Sequence, residues 1–291
     1  MGWARSPNPT DLLYQSMAIS RRTVLKSLVA TGIGGLTGGT AYGYWYGRRA
    51  LDVTRLTLAV SGLPQALAGL RVGLMTDVHR SQWVSHEDVT HAVDTLMATE
   101  PDVIVLGGDY VTWGERQFIE PAAEALSRLE APHGVFAVLG NHDDDREVSA
   151  ALTRRHIEVL RDVRTQRRIR DTTVDFVGIR FWTRRSPEIA AAARGAGPTT
   201  ILLAHDPRRI NEAAALNMPL VLSGHTHGGQ VVLPIIGAVA ARKFPIVAGT
   251  MRRFDTTMYV SRGVGTVYVP VRINCPPEVA ILTLMPASTH A

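Results

Sequence analysis

From Leu51 onward, short apolar runs alternate with stretches of helical periodicity. Arg71–Met75 reads as a strand and ends at Thr76-Asp77-Val78-His79. Ser85 followed by Asp88 has the form of a capping box, and Val89, Ala92, Val93, Leu96 and Met97 behind it keep helical spacing. Val103–Leu106 is a continuous apolar run, the signature of a strand buried on both faces, and it ends in Gly107-Gly108-Asp109. A second helix carries Ile119, Ala122, Ala123, Leu126 and Leu129 on one face. Val135–Leu139 is the next strand and ends in Gly140-Asn141-His142-Asp143. Thr200–Ala204 ends at His205 and Leu220–Ser223 ends at Gly224-His225. Between them Pro207 starts a helix that Asp206 caps.

Each of these strands ends in a short loop rich in Asp, His, Asn and Gly. Strands of one sheet that end together line such loops along one edge, the usual ligand site of α/β folds. The last third differs: Val231-Val232, Tyr259–Ser261, Val267–Val269 and Val279–Leu284 are strands with few helices between them. That pattern predicts a second sheet packed on the first, an α/β protein built as a two-sheet β-sandwich flanked by helices. Residues 51–291 show no repeat and no linker, so one domain is expected there.

Residues 1–50 read differently. Arg21 and Arg22 precede an uncharged, Gly-rich stretch from Ser27 to Tyr46, which resembles a twin-arginine export signal. Six glycines between Gly32 and Gly43 argue against an ordinary buried helix. Met17 is a compact alternative start. A stretch of roughly 20 residues is long enough to span a bilayer, so residues 27–46 are expected to serve as an export signal or as an anchor in the cytoplasmic membrane. The twin-arginine translocase is then a partner and the location is extracytoplasmic.

Composition adds limits. The chain has 291 residues, 45% hydrophobic and 20% charged, enough for one sizeable core. Its formal charge is +5, and Lys26 and Lys243 are the only lysines, so the positive charge is almost all arginine, which suits phosphate. No basic run interleaved with aromatics suggests a nucleic-acid face. A single cysteine, Cys275, excludes an internal disulfide and a thiolate metal cluster.

The chemistry lies in the loops. Asp77-Val-His79, Gly108-Asp109, Gly140-Asn-His-Asp143, His205 and Gly224-His-Thr-His227 bring together carboxylate, imidazole and amide oxygen, which suits manganese, iron or zinc. In an extended segment residues two apart point the same way, so Asp77 with His79, and His225 with His227, can converge.

This set resembles the calcineurin-like metallophosphoesterase family, whose blocks are Asp-x-His, Gly-Asp, Gly-Asn-His-Asp/Glu, His and Gly-His-x-His, all present here in order. The leader and the tail Ser261–Thr266 with Pro270–Glu278 resemble the exported or membrane-associated branch of that family. The resemblance implies a four-layer α/β/β/α fold and two divalent metal ions. Asp77, His79 and His227 would hold one; Asn141, His205 and His225 the other; Asp109 would bridge them. It further implies a metal-bridged hydroxide attacking phosphorus while His142 protonates the leaving group, with Asp143 orienting His142 or serving as a helix N-terminal acid. Arg80, Trp83 and Trp113 are candidate substrate contacts, and Arg262 and Arg272 candidates for the border of the site. The expected activity is a phosphodiesterase or pyrophosphate-cleaving hydrolase on a phosphoester, lipid- or nucleotide-linked. The alternatives are a phosphomonoesterase or protein phosphatase, and a non-catalytic scaffold.

Overall fold

The structure is a computed structural model that describes residues 32, 34, 35 and 37–287. Arg21, Arg22 and Met17 lie outside the described residues, as does part of the 27–46 stretch. Residues 1–41 and 42–291 form two separate compact units. The second begins upstream of Leu51: a π-helical turn at Gly43–Gly47 belongs to it, with Gly43 O accepting from Arg272 N–H at 3.2 Å. Among the described residues, no helix is long and apolar enough to cross a membrane.

Two six-stranded mixed sheets make the larger unit. In the first, β1 (Asp52–Val60), β14 (Glu278–Pro286), β2 (Leu70–Met75), β3 (Val103–Leu106), β4 (Val135–Ala137) and β5 (Glu158–Val159) lie in that spatial order. The second runs β12 (Gly249–Arg253), β13 (Thr256–Val260), β9 (Leu220–Ser223), β8 (Thr200–Ala204), β7 (Thr172–Ile179) and β6 (Val163–Ile169). A short hairpin, β10 (Val232–Leu233) and β11 (Gly237–Ala238), stands apart. Strands β2 to β5 pair in parallel, as do β7, β8, β9 and β13.

Period-two alternation decides which face each side chain meets. Val72, Leu74, Val103, Val105 and Phe136 turn inward to Val174, Phe176, Leu203 and Leu222 of the other sheet. The rings of Phe136 and Phe176 stack with centroids 4.3 Å apart. Ile104 and Leu106 turn outward to α1 (His86–Met97), α2 (Ile119–Leu126) and α3 (Glu147–Thr153). Val177, Leu202 and Val221 meet α4 (Ser186–Ala192) and α5 (Ile210–Ala215). The result is helices, sheet, sheet, helices: four layers. Ser85 caps α1 in a full capping box, accepting from Asp88 N–H at 3.1 Å while Asp88 accepts from Ser85 N–H at 2.9 Å.

Three expectations are corrected. The sheets do not divide the chain into an early and a late part. β8 and β9 belong to the second sheet, whereas the C-terminal β14 enters the first between β1 and β2. Val267–Val269 is loop, because Tyr268 sits at φ 62° and Gln230 takes the backbone groups a ladder would use. Pro207–Arg209 is a 3-10 turn leading into α5, with Asp206 capping it as expected.

The arginine-rich Arg164–Arg170 falls mostly on edge strand β6, where charge guards an open ladder edge. Here Arg164 donates to buried Asp175 at 2.6 Å, and Gln166 and Gly197 N–H donate to the same carboxylate. Burial alone would raise its pKa, but these donors outweigh it and hold the carboxyl below its usual range. A depressed pKa stabilises the fold above the ordinary carboxylate value, about 3.9, and that contribution fades as pH falls through the depressed value. Asp175→Ala should therefore cost about 2–3 kcal/mol near neutral pH, with the two proteins' urea midpoints drawing together in acid. Parallel midpoints at every pH would refute this.

Candidate metal centre

The parallel strands of both sheets end at one edge, and the loops there carry the chemistry. β2 delivers Asp77 and His79, β3 delivers Asp109, and the loop after β4 holds Asn141, His142 and Asp143. From the second sheet, β8 delivers His205, and β9 delivers His225 and His227. The centre therefore straddles the seam between the sheets.

The loops turn sharply enough that Asp77, His79, Asp109, His225 and His227 all adopt φ between 46° and 73°. That region is unfavourable for residues with a Cβ, so the surrounding backbone must enforce it. Asp77 N–H donates to Gly108 O at 2.8 Å, His79 N–H to Asp109 O at 3.0 Å, and Gly265 N–H to Asp77 O at 2.7 Å. Two glycines make the approach possible: a Cβ at Gly140 would overlap Asp109 Oδ1, and one at Gly224 would overlap Asp77 Oδ2.

Donor atoms of Asp77, His79 and His227 lie within 4.8 Å of one another, as do those of Asp109, His205 and His225. Asp109 Oδ2 faces both groups, 3.5 Å from His79 Nε2 and 3.0 Å from His205 Nε2. Imidazole nitrogens also face each other, His79 Nε2 to His227 Nε2 at 3.1 Å and His205 Nε2 to His225 Nδ1 at 3.2 Å. Buried Asn141 Oδ1 and His227 Nδ1 have no hydrogen-bond partner, and orphans of this kind require a reason. Converging lone pairs and an orphaned amide oxygen fit two divalent cations. His205 Nδ1–H donates to Gly107 O at 2.7 Å, which fixes the tautomer and leaves Nε2 free as a ligand.

Burial and the mutual closeness of these groups displace their pKa values. Burial, opposed by His205, pushes Asp77 up to about 6. Burial would lower His205, but the Asp109 carboxylate beside it raises it to about 10. Burial drives His79 and His225 down to about 3.

His142 sits beside this group, its ring centroid 4.9 Å from that of His79. Trp113 N–H donates to His142 Nδ1 at 2.9 Å, so the neutral ring carries its proton on Nε2. Burial keeps the pKa of the ring below its usual value. Asp143 neither orients the His142 ring nor caps the helix that follows, where Asp144 accepts from Arg146 N–H and Glu147 N–H. The Asp143 carboxylate accepts from Gly140 N–H at 2.8 Å, Asp109 N–H at 2.7 Å and Tyr110 N–H at 2.8 Å. It ties the β3 and β4 loops together, because three backbone donors converge on it and the His142 ring is already held by Trp113.

The remaining candidates separate. Arg80 is committed to its own loop, donating to Val84 O at 2.8 Å and lying over the Phe118 ring. Trp83 packs edge-on to Tyr44. Arg262 pairs with Asp52 and Glu278. Arg272 is buried and donates to the carbonyls of Gly263, Gly265 and Cys275, which locks the tail beneath His227. Cys275 is buried there as well, its thiol donating to His227 O. Trp113 is 68% exposed and lines a cleft of about 410 Å³ together with His142, Arg116, Arg180, Phe181 and Trp182. A second cleft of about 390 Å³ is lined by His225, His227, Phe244, Tyr268 and Val269. Phe244 and Tyr268 escaped the sequence reading; their only signal was an aromatic ring in a loop segment.

The family model for calcineurin-like phosphoesterases matches residues 70–229, which hold every donor described above. The chain belongs to that family. It is similar to the uncharacterized metallophosphoesterase YkuE of Bacillus subtilis, 28% identical over 91% of this chain and 98% of that one. It is also similar to phosphodiesterase YaeI of Escherichia coli, 28% identical over 92% of this chain and all of the relative. Among solved structures, NAD nucleotidase of Haemophilus influenzae matches at a TM-score of 0.48 and 13% identity, over 67% of this chain and 45% of that one. This chain spans under half the length of that protein. As a metallophosphoesterase, the chain has a phosphoester as its substrate class.

Proposed function

We propose that this chain is a metal-dependent phosphodiesterase or pyrophosphate-cleaving hydrolase that works at the outer side of the cytoplasmic membrane. One observation carries the diester preference: the donor cluster borders two clefts, with His142 lining one and His225 and His227 lining the other. A phosphomonoester has one organic arm and needs one cleft. A diester or diphosphate has two arms, and both find a wall here. YaeI, similar along nearly the whole chain, bears the name phosphodiesterase, which supports the same reading.

When bound, two divalent cations, manganese first among them, would neutralise the phosphoryl oxygens and acidify the attacking water. The protein's own part is positioning. Asp109 faces both donor groups, and Asp143 holds the backbone of the Asp109 and Gly140 loops. Trp113 N–H keeps the His142 proton on Nε2, where it can pass to the leaving oxygen. With manganese supplied, bis(p-nitrophenyl) phosphate should be cleaved faster than p-nitrophenyl phosphate by about tenfold or more. A faster monoester rate would overturn the proposal in favour of a phosphomonoesterase or protein phosphatase.

The location rests on Arg21, Arg22 and the uncharged stretch behind them. Export through the twin-arginine translocase would let the fold take its metals before crossing. Arg21→Lys combined with Arg22→Lys should trap active, metal-loaded protein in the cytoplasm, as read by fractionation. Normal amounts of the variant outside would rule this route out.

A further inference from the structure

The rim of the His225/His227 cleft has a surface that folding does not explain. The β10–β11 hairpin ends in Pro234, Ile235 and Ile236, and both isoleucines are exposed. Ile235 adopts φ 68° at the turn, where a β-branched residue is strained and Gly or Asn is the ordinary choice. Tyr268, 88% exposed at φ 62°, repeats the anomaly on the neighbouring loop, which Gln230 ties to the hairpin base. Two strained, water-facing apolar positions on segments that Gln230 ties together indicate a surface built to be covered.

What covers it follows from its borders. Val231 bridges Ile273, whose neighbour Arg272 binds Gly43 O, so the hairpin base continues into the turn bearing exposed Trp45 and Tyr46. Trp and Tyr at the margin of an aliphatic patch suit a headgroup layer, apolar on one side and wet on the other. The charge is one-sided too. No carboxylate occurs between Glu212 and Asp255, while Arg242 and Lys243 flank the hairpin. Arg242 donates to Ala238 O and Ile236 O, which holds the tip extended. Aliphatic tip, aromatic margin and cationic flank together match an anionic lipid surface.

We propose that the β10–β11 hairpin and Tyr268 dock the phosphoesterase unit onto an anionic bilayer, with the His225/His227 cleft opening toward the lipid. Only the use of that cleft for a substrate arm rests on the proposed function; the docking itself does not.

The test uses the full chain with an environment-sensitive fluorophore on Ile235→Cys. Cys275 is 3% exposed and leaves the new thiol as the labelling site. Phe254→Cys is the control, an exposed position in the β12–β13 turn at the far end of the second sheet. On vesicles of phosphatidylcholine and phosphatidylglycerol in a two-to-one ratio, the Ile235 label should shift to the blue and brighten roughly two- to fourfold. The Phe254 label should not change, and pure phosphatidylcholine should give a smaller response at Ile235. A label that stays in water on vesicle-bound protein overturns the proposal. So does a shift that grows with protein concentration without vesicles, which would mean a second copy covers the patch. Hydrolysis of bis(p-nitrophenyl) phosphate by the same samples is scored separately. Label insertion without hydrolysis would sink the enzymatic reading alone, and hydrolysis without insertion would sink the docking alone.

Discussion

Asp109→Asn is expected to lower kcat/KM for bis(p-nitrophenyl) phosphate by about 10³-fold or more with manganese in excess, which corresponds to roughly 4 kcal/mol or more of lost transition-state stabilisation. The substitution changes almost nothing in size, so the effect must come from charge and donor direction. Asp109 Oδ2 is the atom that faces both His79 Nε2 and His205 Nε2, and Oδ1 accepts the His142 N–H at 2.8 Å. An amide can keep only one of these faces as an acceptor. Turned to preserve the bond from His142, it directs an NH₂ group at the cluster, where a cation should sit. Turned the other way, it sets two donors against each other and shifts the His142 loop. The variant should bind less than its full complement of metal by elemental analysis while melting within a few degrees of the wild type under chelation. Full activity with one metal per chain would show that Asp109 does not bridge.

The residues that the structure brings together were legible in the chain because the candidate donors are written locally. Asp77 and His79 lie two apart at the end of one strand, as His225 and His227 lie just past another, and an apolar run ending in Gly, Asp or His marks both. Sheet membership was not legible, because ladder pairing is non-local. Nothing in Val279–Leu284 says that it slips between β1 and β2 rather than joining the strands nearest to it in sequence. The arginines of Arg164–Arg170 mark β6 as a solvated strand face, but β7 is buried along most of its length with no donor residue at its end to announce it. Asp143 shows the same limit at the scale of one side chain. Its neighbour in sequence is His142, yet its carboxylate closes a three-donor knot with Gly140, Asp109 and Tyr110, a contact between loops that no local spacing encodes. Phe244 and Tyr268 escaped for a related reason: a ring in a loop has no periodicity to betray which way it faces.

His142→Gln should separate the ring's proton from the rest of the centre. A ring whose Nδ1 already accepts from Trp113 N–H has one proton to offer, on Nε2. Burial lowers its pKa, so near pH 7 the ring is neutral and giving up that proton leaves an imidazolate, a base comparable to an alkoxide and far stronger than nitrophenolate. Such a group matters in proportion to how poorly the departing oxygen carries negative charge. With a nitrophenyl leaving group, which is stable as an anion, the variant should lose about tenfold or less. With an alkyl leaving group the loss should grow to about 10²–10⁴-fold, the usual range for a missing general acid. Plotting log kcat/KM against leaving-group acidity for a series of methyl diesters gives the decisive comparison: the line for the variant should be markedly steeper than for the wild type. Equal slopes with a uniform loss would assign His142 to charge stabilisation instead of proton donation. A change in metal content in the same variant would instead make the ring a ligand, because its nitrogen also lies within 4.8 Å of donor atoms on His79 and Asp109. The Trp113 bond speaks against ligation through Nδ1, since that nitrogen's lone pair is already engaged, and leaves Nε2 to carry the proton toward the cleft that Trp113 and Trp182 wall.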